Sequence, residues 1–168
     1  MVSMSTKYTH WKLETDEYNI AWLHFDKSDS STNTLGREVV DELSDVLDEL
    51  EADRPKGLVI LSDKSAGFIA GADIQEFTQI ENVEQEREVI RRGQGVINRI
   101  EKFRFPTVAL IHGYCLGGGF ELALGCDYRI ADDAANTKIG LPEVRLGIHP
   151  GFGGIARLPG LIGAPAAM

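Results

Sequence analysis

Between His112 and Asp127 a single charge stands in an otherwise uncharged stretch: Glu121, directly after Phe120 and before Leu122, Ala123 and Leu124, within the run IHGYCLGGGFELALGC (111–126). A carboxyl in such company is expected to lose its water, and desolvation raises its pKa toward the range where it can trade protons near neutral pH. Just ahead of it stand Gly117, Gly118 and Gly119. Three glycines between a strand-like and a helix-like run let the backbone turn sharply, and no side chain then screens the amide N–H groups from a ligand. The same glycines would also serve tight helix–sheet packing, so the run alone does not separate an anion-binding turn from a structural one.

A second segment, GFIAGADI (67–74), follows the apolar run GLVIL (57–61) and also presents small residues at its bend. Two such loops, each after a buried strand of one sheet, would place two sets of free amides near the carboxyl ends of the strands, where ligands of α/β proteins gather. Two donors aimed at one oxygen make an oxyanion hole. Asp73 also has a structural reading, as N-cap of a helix over Ile74–Ile80. In the third segment, IGLPEVRLGIHPGFGG (139–154), Glu143 follows Pro142. Proline suits the first position of a helical turn and the helix dipole favours glutamate beside it, a sufficient structural reason for the pair. The GFGG run next to Pro150 adds a further tight turn.

Hydrophobic spacing outlines the elements that must hold these loops. Residues 17–25 (EYNIAWLHF) alternate as a strand, paired in a hairpin with an earlier one near Trp11–Leu13. From Arg37 to Leu50, Val39, Val40, Leu43, Val46, Leu47 and Leu50 recur at helical spacing. Gly57–Leu61 reads as a strand covered on both faces. Asn82 is placed to cap a second long helix, with Val83, Val89, Ile90, Val96, Ile97 and Ile100 on one face and an end near Pro106; Gly93 and Gly95 weaken it locally. Thr107–Ile111 and Tyr128–Ala131 complete the strands. Alternating strands and helices define an α/β protein, with no repeat of fixed period.

At 168 residues the chain fits one domain. Its 43% hydrophobic and 26% charged residues exclude the disordered and fibrous classes. A net charge of −9 without a basic stripe argues against nucleic acid as a partner. The start lacks a signal-peptide pattern and no stretch approaches the ~20 apolar residues of a membrane span, so a cytoplasmic location is expected. Cys115 and Cys126, without a CxxC pattern, read as buried and reduced. The sequence holds no GxSxG elbow and no GxxxxGK[ST] loop, and His10, His24, His112 and His149 lack metal spacing. His112 and His149 read as structural.

Together and in order, GFIAGADI, GYCLGGGFELALGCDYRIA and GLPEVRLGIHPGFGG resemble the crotonase superfamily, specifically its enoyl-CoA hydratase/isomerase members, from about Trp11 to Gly163. FIAGADI and GFGGIARLPGLIG look most like the amino-terminal hydratase domain of bacterial multifunctional fatty-acid oxidation alpha subunits. The resemblance implies a crotonase-like spiral of ββα units. It also implies a lyase that adds water to a trans-2-enoyl-CoA in fatty-acid β-oxidation, giving a 3-hydroxyacyl-CoA.

Glu121 and Glu143 would then be the catalytic carboxyls, Glu121 activating the water and Glu143 delivering a proton to the α-carbon. Ala70 and Gly118 would supply the oxyanion-hole amides. Phe68, Gly71, Ala72, Asp73, Ile74 and Gly117 would contact the substrate. No metal or other cofactor is implied, coenzyme A being part of the substrate. The implied partners are an acyl-CoA thioester and either two further copies in a homotrimer or, within a longer chain, a thiolase subunit of a β-oxidation complex. Relatives continue with further helices, so a single domain over 1–168 is expected to be incomplete at its carboxyl-terminal end. Ile155 and Gly160 stand where relatives tend to carry threonine and a basic residue. A double-bond isomerase, an enzyme with both activities, and a non-catalytic CoA-binding or assembly module are the competing readings.

Overall fold

The computed structural model describes residues 3–5, 7–77 and 81–168. Strands β1 (Ser3–Ser5), β2 (Trp11–Thr15) and β3 (Ile20–Phe25) pair antiparallel. The alternation over 17–25 becomes strand only from Ile20. Ahead of it the Asp16 carboxylate accepts the amides of Tyr18 and Ile20 at 2.9 Å each, and Asn19 turns the chain at φ 65°.

Strands β4 (Gly57–Ser62), β5 (Thr107–Ile111) and β7 (Tyr128–Ala131) extend the sheet in parallel, in the order β1-β2-β3-β4-β5-β7. Helix α1 (Arg37–Asp53) buries the six apolar residues that its spacing marks. Helix α3 (Val83–Glu101) is capped by Asn82, whose side chain accepts the Gln85 amide. Its buried face is confined to Gly93, Val96, Ile97 and Ile100, and Val83 is exposed.

A second layer of short parallel segments turns this sheet into a spiral. Strand β6 (Tyr114–Leu116) pairs with β8 (Lys138–Gly140), Ile69 bridges Cys115, and Leu35 bridges Ala72, all in parallel. Each long parallel strand therefore leads to a short second-layer segment and then a helix. The four turns run β3, Leu35, α1; β4, Ile69–Ala72, α3; β5, β6 and helix α4 (Gly118–Leu124); β7, β8 and helix α5 (Gly154–Ile162). This is the ββα spiral that the resemblance implies. Periodicity alone hides it, because second-layer segments of four residues or fewer are too short to show a pattern.

Helix α2 (Ile74–Phe77) interrupts the second turn, and a short α6 (Ala164–Ala167) follows α5. The helix expected over 74–80 is described as far as Phe77; 78–80 lie outside the described residues. One apolar core joins the sheet to α1, α3 and α4. Among the described residues no helix is long and apolar enough to cross a membrane.

Candidate active site

The turn between β6 and α4 exists because its glycines allow it. Gly117 holds φ 51°, and a β-carbon on Gly119 would fall 2.5 Å from Ile69, so only glycine lets α4 press against the Ile69–Ala72 segment. A β-carbon on Gly117 would likewise lie 3.7 Å from Gly71 Cα. The two glycine-rich loops are thus in van der Waals contact, as their placement after β4 and β5 requires.

Helix α4 carries Glu121 inward, 1% exposed. Its Oε1 accepts the amides of Phe152 at 2.9 Å and Gly154 at 2.7 Å, and its Oε2 meets no donor among the described residues. Burial raises the Glu121 pKa above the ordinary glutamate range and the neighbouring Glu143 raises it further; the two amides and Arg157 oppose the shift. Glu143 opens a 3-10 helix (Glu143–Leu146) directly behind Pro142, as the proline and dipole argument anticipates. Its carboxyl is turned inward, 8% exposed, with Oε1 2.9 Å from the place of a β-carbon on Gly117. Oε2 is buried with no hydrogen-bond partner among the described residues. Burial raises this pKa as well, against a weaker pull from the residue's own amide. Two carboxyls, each with one uncommitted oxygen, therefore border the same glycine turn.

The amides divide differently from the expectation. Ala70 N–H donates to the Asn33 carbonyl at 2.9 Å, and Gly117 N–H to the Gly140 carbonyl at 2.9 Å, so both are spent on the second layer. The amides of Gly71, Ala72 and Gly118 meet no acceptor among the described residues. On this loop Asn33 takes the Ala70 amide and Leu35 takes the Asp73 amide, so the donors left free are those of Gly71 and Ala72, between them; across the site the Gly118 amide is free among the described residues.

Two further expected contacts are structural. Phe68 is 0% exposed in the core, and its carbonyl accepts from Asn33 Nδ2, so its side chain cannot reach a ligand. Asp73 binds Lys27 Nζ at 2.6 Å and accepts the Gln75 amide at 3.0 Å, which makes it a cap of α2. Lys27 holds its carboxyl below the ordinary aspartate range. Ile74, 62% exposed, and Ala72 remain open to a ligand. Ala72 lines a narrow crevice with Leu35, Val40, Val89 and Phe152.

Three contributors escaped the sequence reading. The GFGG turn supplies the two amides on Glu121. Gly93, expected only to weaken α3, makes room for Phe152. Buried Asn33 ties the ends of β3 and β4 to the Phe68–Ala70 segment. It sits in the polar run SDSSTNT, where nothing marks it above its neighbours. The thiols of Cys115 and Cys126 are buried, unpaired and pushed up to about 12, and the His112 ring is tied to the Lys64 carbonyl, as read.

A ββα spiral with two inward carboxyls beside a glycine turn defines the crotonase class of fold and site. The sequence matches the enoyl-CoA hydratase/isomerase family over residues 15–168, and the chain belongs to that family. It is similar to fatty acid oxidation complex subunit alpha of Aliivibrio fischeri, 49% identical over 150 residues, 88% of this chain and 22% of that one. The Vibrio campbellii subunit is 43% identical over 154 residues, 91% of this chain and 22% of that one. An enoyl-CoA hydratase structure from Geobacillus kaustophilus superposes with a TM-score of 0.89 at 29% identity, over 99% of this chain and 61% of that one. Pseudomonas aeruginosa DspI gives 0.86 at 32%, over 97% and 61%. The chain spans 22% of the length of these curated relatives.

Proposed function

We propose that the chain is an enoyl-CoA hydratase domain that adds water to a trans-2-enoyl-CoA. The observation that carries this reading is the pair Glu121 and Glu143, each buried with an Oε2 that meets no donor among the described residues, beside a Gly118 amide that meets no acceptor among them. A water held between two such oxygens is oriented by both. Glu121, whose Oε1 already accepts two amides that favour its carboxylate, takes the water's proton as its oxygen attacks the β-carbon. Charge then grows on the thioester oxygen, which the Gly118 and Ala72 amides stabilise; one such donor can be worth about 3 kcal/mol. Glu143, whose buried Oε2 favours the protonated form, delivers its proton to the α-carbon. The proton gained by Glu121 returns to Glu143 after product leaves, and the two titrate as a pair.

So written, the reaction draws on no metal or redox cofactor, and the coenzyme A is substrate. The relatives carry the name of a fatty acid oxidation complex subunit, which supports placing this domain in cytoplasmic β-oxidation, within a complex of that kind.

The test is hydration of crotonyl-CoA, followed by loss of the enoyl-thioester absorbance. Turnover that falls ~100-fold or more in both Glu121→Gln and Glu143→Gln, with crotonyl-CoA affinity held, is the expected result. Full activity in either variant removes that residue from the mechanism. Absence of turnover in the unaltered chain with retained CoA binding would instead favour a binding module.

A further inference from the structure

The two amides on Glu121 Oε1 come from one loop, Gly151–Gly154, and that loop is fastened from behind. Arg157 Nη1 donates to the Phe152 carbonyl at 3.0 Å. The rest of its guanidinium reaches α3: Nη2 to Asn98 Oδ1 at 2.5 Å and to Glu101 Oε2 at 2.9 Å, and Nε to Glu101 Oε2 at 3.2 Å. The side chain is only 13% exposed, and it lies so close to Gly153 that a β-carbon there would stand 2.2 Å from Nη1. From α3, Gln94 also donates to the Gly151 carbonyl at 2.8 Å, and the Phe152 ring rests in the notch at Gly93. The carbonyl side of the loop is thus held by α3 and Arg157 while its amide side faces Glu121.

We infer that Arg157 is a positioning residue of the proposed hydratase site: by holding the Phe152 carbonyl it keeps the Phe152 and Gly154 N–H groups converged on Glu121 Oε1, which leaves Oε2 for the water. The inference rests on the role given to Glu121 above. Only a planar fork with several fixed donors can hold a carbonyl, an amide oxygen and a carboxylate at once; a lysine ammonium on a flexible stem cannot. The 152–153 peptide joins the two peptides that carry these amides, so loss of the hold on the Phe152 carbonyl shifts the aim of both. The charged groups acting on Glu121 are Glu143 from the 3-10 turn and Arg157 from α5; Glu101 of α3 acts through Arg157. Removing the guanidinium thus loosens two aligned donors and takes away a nearby cation together, and both changes disfavour the carboxylate.

The experiment compares Arg157→Gln, Arg157→Lys and the double variant Asn98→Ala/Glu101→Gln with the unaltered chain. The Glu121 carboxyl is titrated by 13C NMR, with its signal assigned through Glu121→Gln, and crotonyl-CoA hydration is measured across pH. In Arg157→Gln, Glu121 should titrate about half a pH unit or more higher. The acid limb of kcat/KM should move with it, and kcat near pH 7 should fall about tenfold or more with KM little changed. Arg157→Lys should not rescue it. An unmoved Glu121 titration in a folded Arg157→Gln chain overturns the inference. Should that variant fail to fold, the double variant, which keeps the guanidinium but removes its anchors on α3, decides in the same way: an upward shift supports and no shift overturns. The NMR arm needs no turnover, so a chain that does not hydrate crotonyl-CoA would sink the hydratase reading separately.

Discussion

The ring of Phe152 occupies the place that a side chain on Gly93 would need: a β-carbon there would stand 2.4 Å from Phe152 Cε1. Two residues along the same helix, Gly95 is exposed with nothing within 4 Å of such a carbon. Gly95→Ala should therefore stabilise the chain by up to ~1 kcal/mol through helix propensity alone, about 2–4 °C in Tm for a chain of this size. Gly93→Ala should destabilise it by about 1–3 kcal/mol through overpacking, and should impair hydration because Phe152 carries one of the Glu121 amides. Thermal unfolding of the two variants decides it; equal rises in Tm would contradict the notch.

Asn33 joins three segments: its Nδ2 reaches the carbonyls of Phe25 and Phe68 and the Ser62 hydroxyl, and its Oδ1 accepts the Lys27 amide at 2.9 Å. Asn33→Ala removes these bonds and leaves the Phe68 carbonyl and the Lys27 amide without the partner it supplied, at a cost of roughly 2–3 kcal/mol. Urea unfolding should show the loss, and hydrogen exchange at the Lys27 and Ala70 amides should quicken. Exchange no faster than in the parent would mean that Asn33 does not tie these segments together.

The amide pattern distinguishes Ala70 from Ala72. Ala72→Pro deletes an N–H that bonds to nothing among the described residues, so Tm should change little while hydration falls ~100-fold or more. Ala70→Pro deletes the bond to Asn33 and should lower Tm markedly. The reverse pattern would return the oxyanion role to Ala70.

Glu143 costs stability at neutral pH. Its folded pKa is raised, so the native state holds the proton more tightly than the unfolded chain, and stability falls as pH rises from the unfolded value near 4.3 to the folded one. Above the folded value the whole penalty is present. Glu143→Gln should therefore melt higher than the parent at pH 7–8, with the advantage fading as pH approaches 4. A Tm difference independent of pH would show that this carboxyl carries no such burden.

The amino-acid sequence by itself determined the long elements and both carboxyls. The six apolar residues of α1 and the cap at Asn82 are local signals, written in spacing of three and four and in one side chain beside its own helix. Glu121 and Glu143 were legible because each interrupts or abuts a distinctive glycine or proline context. Only the tertiary structure decided which amides stay free. Whether Ala70 or Ala72 keeps its N–H depends on a parallel pairing with Asn33 and Leu35, more than thirty residues earlier: Asn33 takes the Ala70 amide, Leu35 the Asp73 amide, and the two donors between them stay free. The grip of Phe152, Gly154 and Arg157 on Glu121 likewise joins residues about thirty apart in the chain. Contacts of that reach leave no periodic trace, because their geometry is set by how the turns of the spiral stack and not by any neighbour in sequence.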